Sequence, residues 1–297
     1  MWWRFRKHRL AVASAVVLGL IYLVVLFAEF FAPFTANTFS SRYTYAPPQR
    51  LHLFERTDAG LRFKPHVNDF VVEIDYNAGR RTFQVDPDTR HYVGLFVRGE
   101  PYKLLGLIPT DVHLIGPLER DAPMFLLGSD RLGRDVLSRT IFGARVSMTV
   151  GLVGVAISLV LGVLLGGISG YVGGAVDNVI QRVIEFMQSL PAIPLWIGLA
   201  AAIPVDVPPV RVYFYITVIL SVLGWTTLAR VVRGRFYALK TEDFISAARL
   251  DGASGMRIIV RHMVPSFLSH IITVVTLTIP GMILAETALS FLGIGLR

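Results

Sequence analysis

The chain has 297 residues, of which 53% are hydrophobic and only 17% charged, and its formal net charge is +8. Several apolar stretches are long enough to cross a bilayer, which is typical of a polytopic membrane protein and excludes an ordinary soluble domain. The sequence contains no cysteine, so disulfides, thiolate nucleophiles and cysteine-ligated metals are excluded. Few of its basic residues form a continuous run interleaved with aromatics, which argues against nucleic acid as a partner and favours the membrane surface.

Residues 1–34 are predicted to form a cytoplasmic N-terminus and a first membrane span. Met1 to Arg9 is basic and aromatic, and Leu10 to Phe34 is almost continuously apolar. A signal peptide has the same order, but this apolar run is longer than a signal core and no small-x-small cleavage site follows it. We therefore predict an uncleaved span whose N-terminus lies in the cytoplasm.

Residues 35–126 are predicted to form a small extracytoplasmic insert that contains β-structure. Val71–Tyr76 and Arg81–Asp86 flank a turn sequence, Asn77 to Arg80, and predict a hairpin. Further strands are predicted over residues 91–98, 102–108 and 112–115. Because the carboxylates and histidines of this insert lack metal-ligand spacing, a scaffold that packs on the membrane domain is favoured over a catalytic module.

An arginine-rich segment opens the predicted transmembrane core, residues 127–297. Two aspartates, Asp130 and Asp135, lie among four arginines at positions 131, 134, 139 and 145. We predict that the aspartates pair with Arg131, Arg134 or Arg139 in an amphipathic elbow. A phosphate or substrate-carboxylate site is the alternative.

Four further spans are predicted in this core, at residues 146–172, 177–203, 212–232 and 266–292. Pro191 and Pro194 interrupt the third span, and Pro280-Gly281 predicts a kink in the fifth. In the second span Gly162, Gly166 and Gly170 recur every four residues, which places small residues on one face and allows another helix to pack closely.

Four polar residues within the predicted spans are candidates for lining a translocation pathway: Glu185, Gln188, Glu286 and Thr287. Polar side chains at this depth face protein or a water-filled cavity. Hydrogen bonds that hold the helix bundle together explain these residues equally well.

The stretch Thr241 to Pro265 is rich in charge although it lies between two apolar spans. Thr241 is predicted to cap a helix in which Phe244, Ala247 and Ala248 share one exposed face. Gly252 is predicted to end this helix, and Ser254 to cap a second helix that continues until Pro265 interrupts it. The pattern indicates two short helices joined by a sharp turn, which together dock into another protein.

Three stretches together resemble the permeases of ABC importers, and specifically their dipeptide and oligopeptide branch. The first resembles the EAA loop, whose pattern is E-A-A-x3-G-x9-I-x-L-P. Here it comprises Ser246-Ala247-Ala248, Gly252 and His262-Met263-Val264-Pro265, with serine replacing the glutamate and histidine the isoleucine. The other two are residues 127–147 (LGSDRLGRDVLSRTIFGARVS) and residues 286–295 (ETALSFLGIG), which are similar to segments of that branch.

This resemblance implies an all-α polytopic protein with the type I ABC importer permease fold and a small β-containing insert. That fold has six spans where the sequence shows five, so either a sixth span follows Arg297 or the chain ends early, and we favour the first expectation. The implied location is the bacterial inner membrane. The implied partners are a second permease subunit, two ATP-binding cassette subunits, an extracytoplasmic substrate-binding protein and membrane lipid. The chain itself is expected to need no cofactor or metal, since ATP and Mg would bind the partner subunits.

The resemblance also implies that the chain couples to the ATPases through its EAA-like loop. The residues expected to carry this coupling are Phe244, Ser246, Ala247, Ala248, Gly252, Ala253 and Pro265. They would make shape contacts and perform no chemistry. By resemblance, the substrate is a short peptide.

Other functions remain open from the sequence. The substrate could be nickel or another small solute. A membrane-embedded enzyme could use Glu185, His262 or Glu286, although the sequence has no convergent nucleophile and base. The insert could also make the chain a scaffold protein. The sequence has no G-x4-G-K-[ST] phosphate loop, which argues against ATP hydrolysis by that route in this chain.

Overall fold

The computed structural model describes residues 2–57, 60–75, 80–204 and 206–292. These residues form two compact units, and the division falls after Val146. The first unit holds the N-terminal helices and the insert, together with residues 127–146. The sequence predicts that the transmembrane core starts at residue 127. In the structure, residues 127–146 pack with the insert instead.

Three helices open the first unit: α1 (Trp2–Lys7), α2 (Arg9–Leu26) and α3 (Ala28–Phe31). His8 caps α2, because its Nδ1 accepts a hydrogen bond from the amide of Ala11. Helix α2 is apolar all round and mostly exposed, as a span that faces lipid should be. The first span is therefore confirmed, but it ends at Leu26 and not at Phe34, since Phe27 leaves the helical backbone.

The insert contains a four-stranded antiparallel sheet in the order β1 (His52–Thr57), β2 (Gly60–Asp75), β3 (Arg80–Leu104) and β4 (Ile108–Pro117). The predicted hairpin is confirmed by the pairing of Val71 with Gln84 and of Ile74 with Arg81. Its predicted turn at Asn77–Gly79 lies outside the described residues.

The predicted strand boundaries inside the insert are wrong. Residues 91–98 and 102–104 belong to the single long strand β3, and the chain then turns before β4. The register shifts beside Pro87 and Pro101, so the ladder passes each proline as an irregularity instead of ending there. The first strand, β1, was not predicted.

The predicted ion pairs of the elbow are confirmed for one aspartate only. Asp130 lies 2.7 Å from Arg134 and 3.4 Å from Arg139. Asp135 is buried and caps the helix that follows, since its Oδ2 accepts hydrogen bonds from the amide and the hydroxyl of Ser138, both at 2.7 Å. Burial raises the pKa of Asp135. The predicted pairing of Asp135 with arginine is therefore wrong.

The guanidinium of Arg145 holds the end of the first span. It binds both carboxylate oxygens of Glu29, at 2.6 and 2.5 Å, and donates to the carbonyls of Val25 and Leu26, each at 2.9 Å. These two carbonyls lie in the last turn of α2 and lack partners inside the helix. Although burial raises the pKa of Glu29, the hydrogen bonds from Arg145 outweigh it and leave that pKa below its ordinary value.

Replacing Arg145 with methionine is expected to lower the free energy of unfolding by about 1–3 kcal/mol, because a partly buried carboxylate loses its partner. Glu29 contributes stability above its unfolded pKa, and that contribution is lost as the pH falls through the lower folded pKa. Loss of stability in acid should therefore be weaker in R145M. Thermal unfolding in detergent at several pH values measures both effects. The control is R131M, an exposed arginine of the same elbow, and equal losses in the two variants would contradict a specific role for Arg145.

The second unit is helical and begins within α4 (Val136–Val172). It continues with α5 (Gly174–Ser189), α6 (Ala192–Ala201) and α7 (Pro209–Leu239). Next come α8 (Asp243–Leu250), α9 (Gly255–Arg257), a π-helix (Ile258–Met263), α10 (Val264–Ser266) and α11 (Leu268–Phe291). Among the described residues, four helices are long and apolar enough to cross a membrane: α2, α4, α7 and α11. The bent pair α5 and α6 adds a fifth span if the two helices are counted as one span.

The predicted third span is not a straight helix. Helices α5 and α6 are bent by 85° at the break between them. Leu190 is extended because the following residue, Pro191, disfavours a helical backbone before it. The other spans are confirmed with shifted ends. The helix of the second span, α4, begins ten residues before residue 146, and that of the fourth span, α7, continues to Leu239.

The glycine face of α4 packs against α7. A Cβ atom added at Gly166 would lie 2.4 Å from the carbonyl oxygen of Ala229, and one at Gly170 would lie 2.5 Å from that of Arg233. Gly162 meets the side chain of Leu228 in the same way. The predicted close approach is therefore confirmed, and the approaching helix belongs to this chain.

Candidate functional site

The segment between α7 and α11 begins with the short amphipathic helix α8. Asp243 in its first turn and Arg249 in its last turn complement the helix dipole. Glu242 occupies the N-cap position, whereas the hydroxyl of Thr241 donates to the carbonyl of Ala238 at 3.3 Å. The predicted helix is confirmed, and its predicted capping by Thr241 is wrong.

Helix α8 has a buried face and an exposed face, and the two alanines lie on different ones. Ile245 and Ala248 are buried in a hydrophobic cluster, whereas Ala247 is exposed. Phe244 is 42% exposed and Leu250 is 89% exposed. The expectation that Ala247 and Ala248 form one exposed face is therefore wrong, because Ala248 shares the inward stripe of Ile245 three residues earlier. Ser246 is exposed as well.

The cluster under α8 joins it to both neighbouring spans. Its buried members come from α7, from α8, from the π-helix and from the start of α11; they are Leu228, Val232, Phe236, Ile245, Ala248, Ile258, Ile259, Met263, Phe267 and Ile271. Since buried side chains pack as densely as a crystal, a displacement of α8 cannot be absorbed inside this cluster.

Gly252 ends α8 in the left-handed backbone conformation that the sequence predicts, with φ +75°. The amide of Gly252 bonds to the carbonyl of Arg249, and the amide of Ala253 bonds to that of Ala248, each at 3.0 Å. These two bonds form a Schellman motif, which satisfies carbonyls at the helix end. Ala253 also packs against the buried cluster, as the hydrophobic contact of that motif requires. The turn is therefore fixed by the sequence around Gly252.

The second helix of the segment is a composite of α9, the π-helix and α10. Ser254 caps it as predicted, with its hydroxyl accepting from the amide of Arg257 at 3.4 Å. The helical backbone continues past Pro265 to Ser266, so the predicted interruption at Pro265 does not occur there. The helical backbone ends at Phe267, with φ −126° and ψ 25°.

A contact that the sequence analysis missed anchors α8 to the end of α4. The Nε of Arg249 donates to the hydroxyl of Tyr171 at 3.2 Å, and its guanidinium lies 5.0 Å from the centre of that ring. In a second such link, Arg233 on α7 binds both carboxylate oxygens of Asp177 on α5 at 2.5 Å. A charge pattern cannot reveal these links, since the partners lie more than fifty residues apart in sequence.

The four candidate pathway residues are not brought together as one site. Glu185 pairs with Arg182 at 2.8 Å on an exposed face of α5, and Gln188 donates to Thr226 on α7 at 3.2 Å. Glu286 is buried and accepts hydrogen bonds from Ser147 and Ser290. Thr287 is exposed and bonds to its own helix. Their role in a pathway stays a prediction.

A cavity of about 200 Å³ lies among α4, α7 and α11. Its polar lining residues are Ser158, Thr227 and Thr278, and the rest are mostly aliphatic. None of the four candidate pathway residues lines it. Within the described ranges, no three histidine, aspartate or glutamate residues converge as a metal site.

The long apolar helices define a class, that of multi-pass inner-membrane proteins. Residues 162–297 match the family described as "Binding-protein-dependent transport system inner membrane component", and residues 1–48 match the "N-terminal TM domain of oligopeptide transport permease C". Over these two ranges the chain is similar to the binding-protein-dependent permeases and, at its N-terminus, to oligopeptide permeases of the C type.

Curated relatives agree with these matches. The chain is 39% identical over 170 residues to the dipeptide transport system permease protein of Bacillus subtilis (strain 168), an alignment that covers 57% of this chain and 51% of the relative. It is 38% identical over 186 residues to the oligopeptide transport system permease protein of Haemophilus influenzae, covering 63% of this chain and 58% of that relative. The corresponding Escherichia coli (strain K12) protein is 38% identical, with 57% and 54% covered. The chain thus spans about half the length of the curated relatives it matches.

Proposed function

We propose that this chain is the C-type permease subunit of an ATP-driven importer for short peptides. It forms half of a translocation pathway and takes up motion from cytoplasmic ATPases through the segment 241–265. Its partners are a second permease, two ATP-binding cassette subunits and an extracytoplasmic binding protein. The chain performs no ATP hydrolysis itself.

One observation carries this proposal: the exposed face of α8 stands on a buried cluster that also contains residues of α7 and α11. Phe244 and Leu250 supply apolar surface to a partner, and Ala247 lets that partner approach closely. Ile245 and Ala248 transmit a displacement of this face to the spans. The peptide substrate is supported by the names of the relatives, which are dipeptide and oligopeptide permeases.

The exposed face is tested by replacing Ala247 with glutamate in the assembled transporter. A charge buried without a partner at an interface costs about 2 kcal/mol, which corresponds to a roughly thirtyfold loss of affinity. We therefore expect A247E to retain far less ATPase on purification and to lower peptide uptake into vesicles. Because Ala247 is exposed in the chain itself, its expression and thermal stability should be unchanged.

Two control variants separate docking from folding. A247S adds a small hydroxyl to the same exposed site and should behave as wild type. A248E places the charge in the buried cluster and should destabilise the chain itself. Normal ATPase retention and uptake in A247E would overturn the proposed coupling surface. Uptake of nickel in place of peptide by the intact transporter would overturn the proposed substrate and leave the coupling intact.

A further inference from the structure

The first unit contains a cavity of about 290 Å³ whose walls come from four stretches of the chain. These stretches lie within residues 34–43 after α3, at Glu100 on β3, within residues 120–125 after β4 and within residues 133–135 before α4. The volume is near the lower end of the range for small-molecule sites, about 300–1,000 Å³. The cavity is therefore large enough for a small organic ligand.

Aromatic rings form much of the wall of this cavity. They belong to Phe34, Phe39, Tyr43 and Phe125. The hydroxyl of Tyr43 is already committed, because it donates to Asp69 at 2.8 Å. Small-molecule sites typically combine such apolar walls with a few polar groups that fix the orientation of the ligand. The rings can therefore contact the apolar body of a ligand, and its polar contacts must come from other residues.

The charges of the lining are mainly negative. Glu100, Asp121 and Asp135 contribute three carboxylates, and Arg120 contributes a single guanidinium. Arg120 donates to the carbonyl of Gly99 at 3.2 Å, and within the described ranges it forms no ion pair with these carboxylates. Complementary charge across an interface selects one kind of partner over another. The lining therefore favours a cationic ligand over an anionic one.

Asp135 has a buried carboxylate oxygen without a partner. The residue is only 4% exposed, and in the part of the chain that the structure describes its Oδ1 makes no hydrogen bond. The hydroxyl of Ser138 fixes the carboxylate in place, since it donates to Oδ2 and accepts from the amide of Phe34 at 3.1 Å. Buried polar groups are nearly always hydrogen-bonded, and burial without a cation raises the pKa of this carboxyl. A positively charged donor in the cavity would supply the missing partner.

Glu100 offers a second acceptor in the same cavity. Its Oε2 accepts from the hydroxyl of Thr35 at 2.7 Å and from that of Thr38. Among the described residues, none donates to its Oε1. Each of the two carboxylates is thus held through one oxygen and leaves the other to a donor. A primary ammonium carries three N–H donors and is attracted to aromatic rings as well.

We infer that this cavity binds the primary ammonium group of a small ligand, with Asp135 and Glu100 as its acceptors and the aromatic wall around its apolar body. The described residues offer no trio of acidic or histidine side chains for a metal ion, so an organic cation fits better. The ammonium can belong to a free amine or to the N-terminus of a short peptide. Only the second source rests on the proposed function, in which short peptides are the substrate.

The test uses the full chain in detergent and phenethylamine as the probe, with binding followed by saturation-transfer NMR. The neutral analogue 2-phenylethanol has nearly the same size and lacks the charge. Asp135→Asn and Glu100→Gln each remove one negative charge at nearly constant shape, and asparagine still caps a helix. Asp88→Asn is the matched control, since Asp88 is exposed and does not line the cavity.

We expect saturable binding of phenethylamine to the wild type and to D88N, and about tenfold weaker binding of 2-phenylethanol. D135N and E100Q should each lower the affinity for phenethylamine about tenfold or more, because a hydrogen bond to a charged group is lost. Thermal unfolding checks that the variants are folded, and E100Q tests the site independently of the helix cap. Equal binding of the two probes, unchanged affinity in D135N and E100Q, or no saturable binding would overturn the inference.

Two dipeptides distinguish the sources of the ammonium. A peptide N-terminus predicts that phenylalanyl-alanine binds and that its N-acetylated form does not. Binding of phenethylamine without phenylalanyl-alanine would assign the site to free amines, and peptide uptake by the assembled transporter would be unaffected by that result. Equal binding of the free and the acetylated dipeptide would overturn the ammonium as the recognised group.

Discussion

Replacing Gly166 with leucine is expected to lower the free energy of unfolding by about 1–3 kcal/mol or more, the usual cost of overpacking. Even the first added carbon would lie 2.4 Å from the carbonyl oxygen of Ala229 and 2.8 Å from its Cα. These are backbone atoms of α7, so no side-chain rotation relieves the contact and the two helices must separate. Gly166→Ala should therefore already be destabilising. The fraction of monodisperse protein that survives heating in detergent measures the effect.

Gly234 supplies the matched control on the partner helix. It is also a helical glycine, but a Cβ atom added there meets nothing within 4 Å. Gly234→Ala should leave the protein as stable or raise its stability, since alanine is favoured over glycine in a helix by about 1 kcal/mol. If G166A and G234A have the same thermal stability, the contact between α4 and α7 is not as close as described.

Replacing Gly252 with valine is expected to uncouple the ATPases while leaving the spans intact. A Cβ atom at this position would meet nothing within 4 Å, so the cost arises only from the backbone, which has φ +75°. A β-branched residue in this conformation costs at least about 1–2 kcal/mol. The Schellman motif would open, and the exposed face of α8 would lose its fixed orientation. Substrate-stimulated ATP hydrolysis by the assembled transporter should fall, with the thermal stability of the spans unchanged.

A graded series at the same position isolates this cause. Asparagine tolerates the left-handed region, so Gly252→Asn should retain most of the ATP hydrolysis, and Gly252→Ala should fall between asparagine and valine. The ordering tests backbone conformation because the Cβ atom of each side chain enters open space. Equal activity in the asparagine and valine variants would show that the left-handed turn is irrelevant to coupling.

The position of Gly252 was predictable because its role is local. A glycine after an amphipathic helix, followed by a serine cap, specifies the turn within a few residues. The same holds for the β2–β3 hairpin and for the spans, whose length and composition suffice. These features depend on neighbours in sequence, and the structure confirms Gly252, the hairpin and four of the five spans, whereas the third span is bent by 85°.

Features that depend on distant residues were not predictable. Glycine spacing in α4 predicts a close approach, but it does not say that α7 of the same chain approaches. In sequence, Ala247 and Ala248 are equally small and both looked exposed. Ala248 is buried because Ile245, on the same side of α8, packs in a cluster with residues of the later π-helix. Pro191 predicts where the helix breaks, but it does not predict that the two halves meet at 85°.

Two prolines of the insert, Pro87 and Pro101, lie in the gaps between predicted strands, where the structure continues β3. Proline removes a ladder donor and predicts a strand end. In β3, the pairing shifts by a bulge near Pro87 and again near Pro101, and the strand continues. A single sequence cannot show whether a partner strand will accommodate such an irregularity.

The π-helix Ile258–Met263 lies between α8 and α11, where its hydrogen-bond register affects the rotation of one helix relative to the other. A π turn contains one residue more than an α turn, and each of its amides has a second acceptor one position closer along the chain. Exchanging the two acceptors adds or removes one residue of winding, and each residue of an α-helix corresponds to about 100° of rotation. The rotation of α11 about its axis, relative to the exposed face of α8, is therefore set by the one extra residue of the π turn. Such an exchange would turn the last span about its axis, and the cluster beneath α8 would have to repack with it, because Phe267 and Ile271 belong to that cluster.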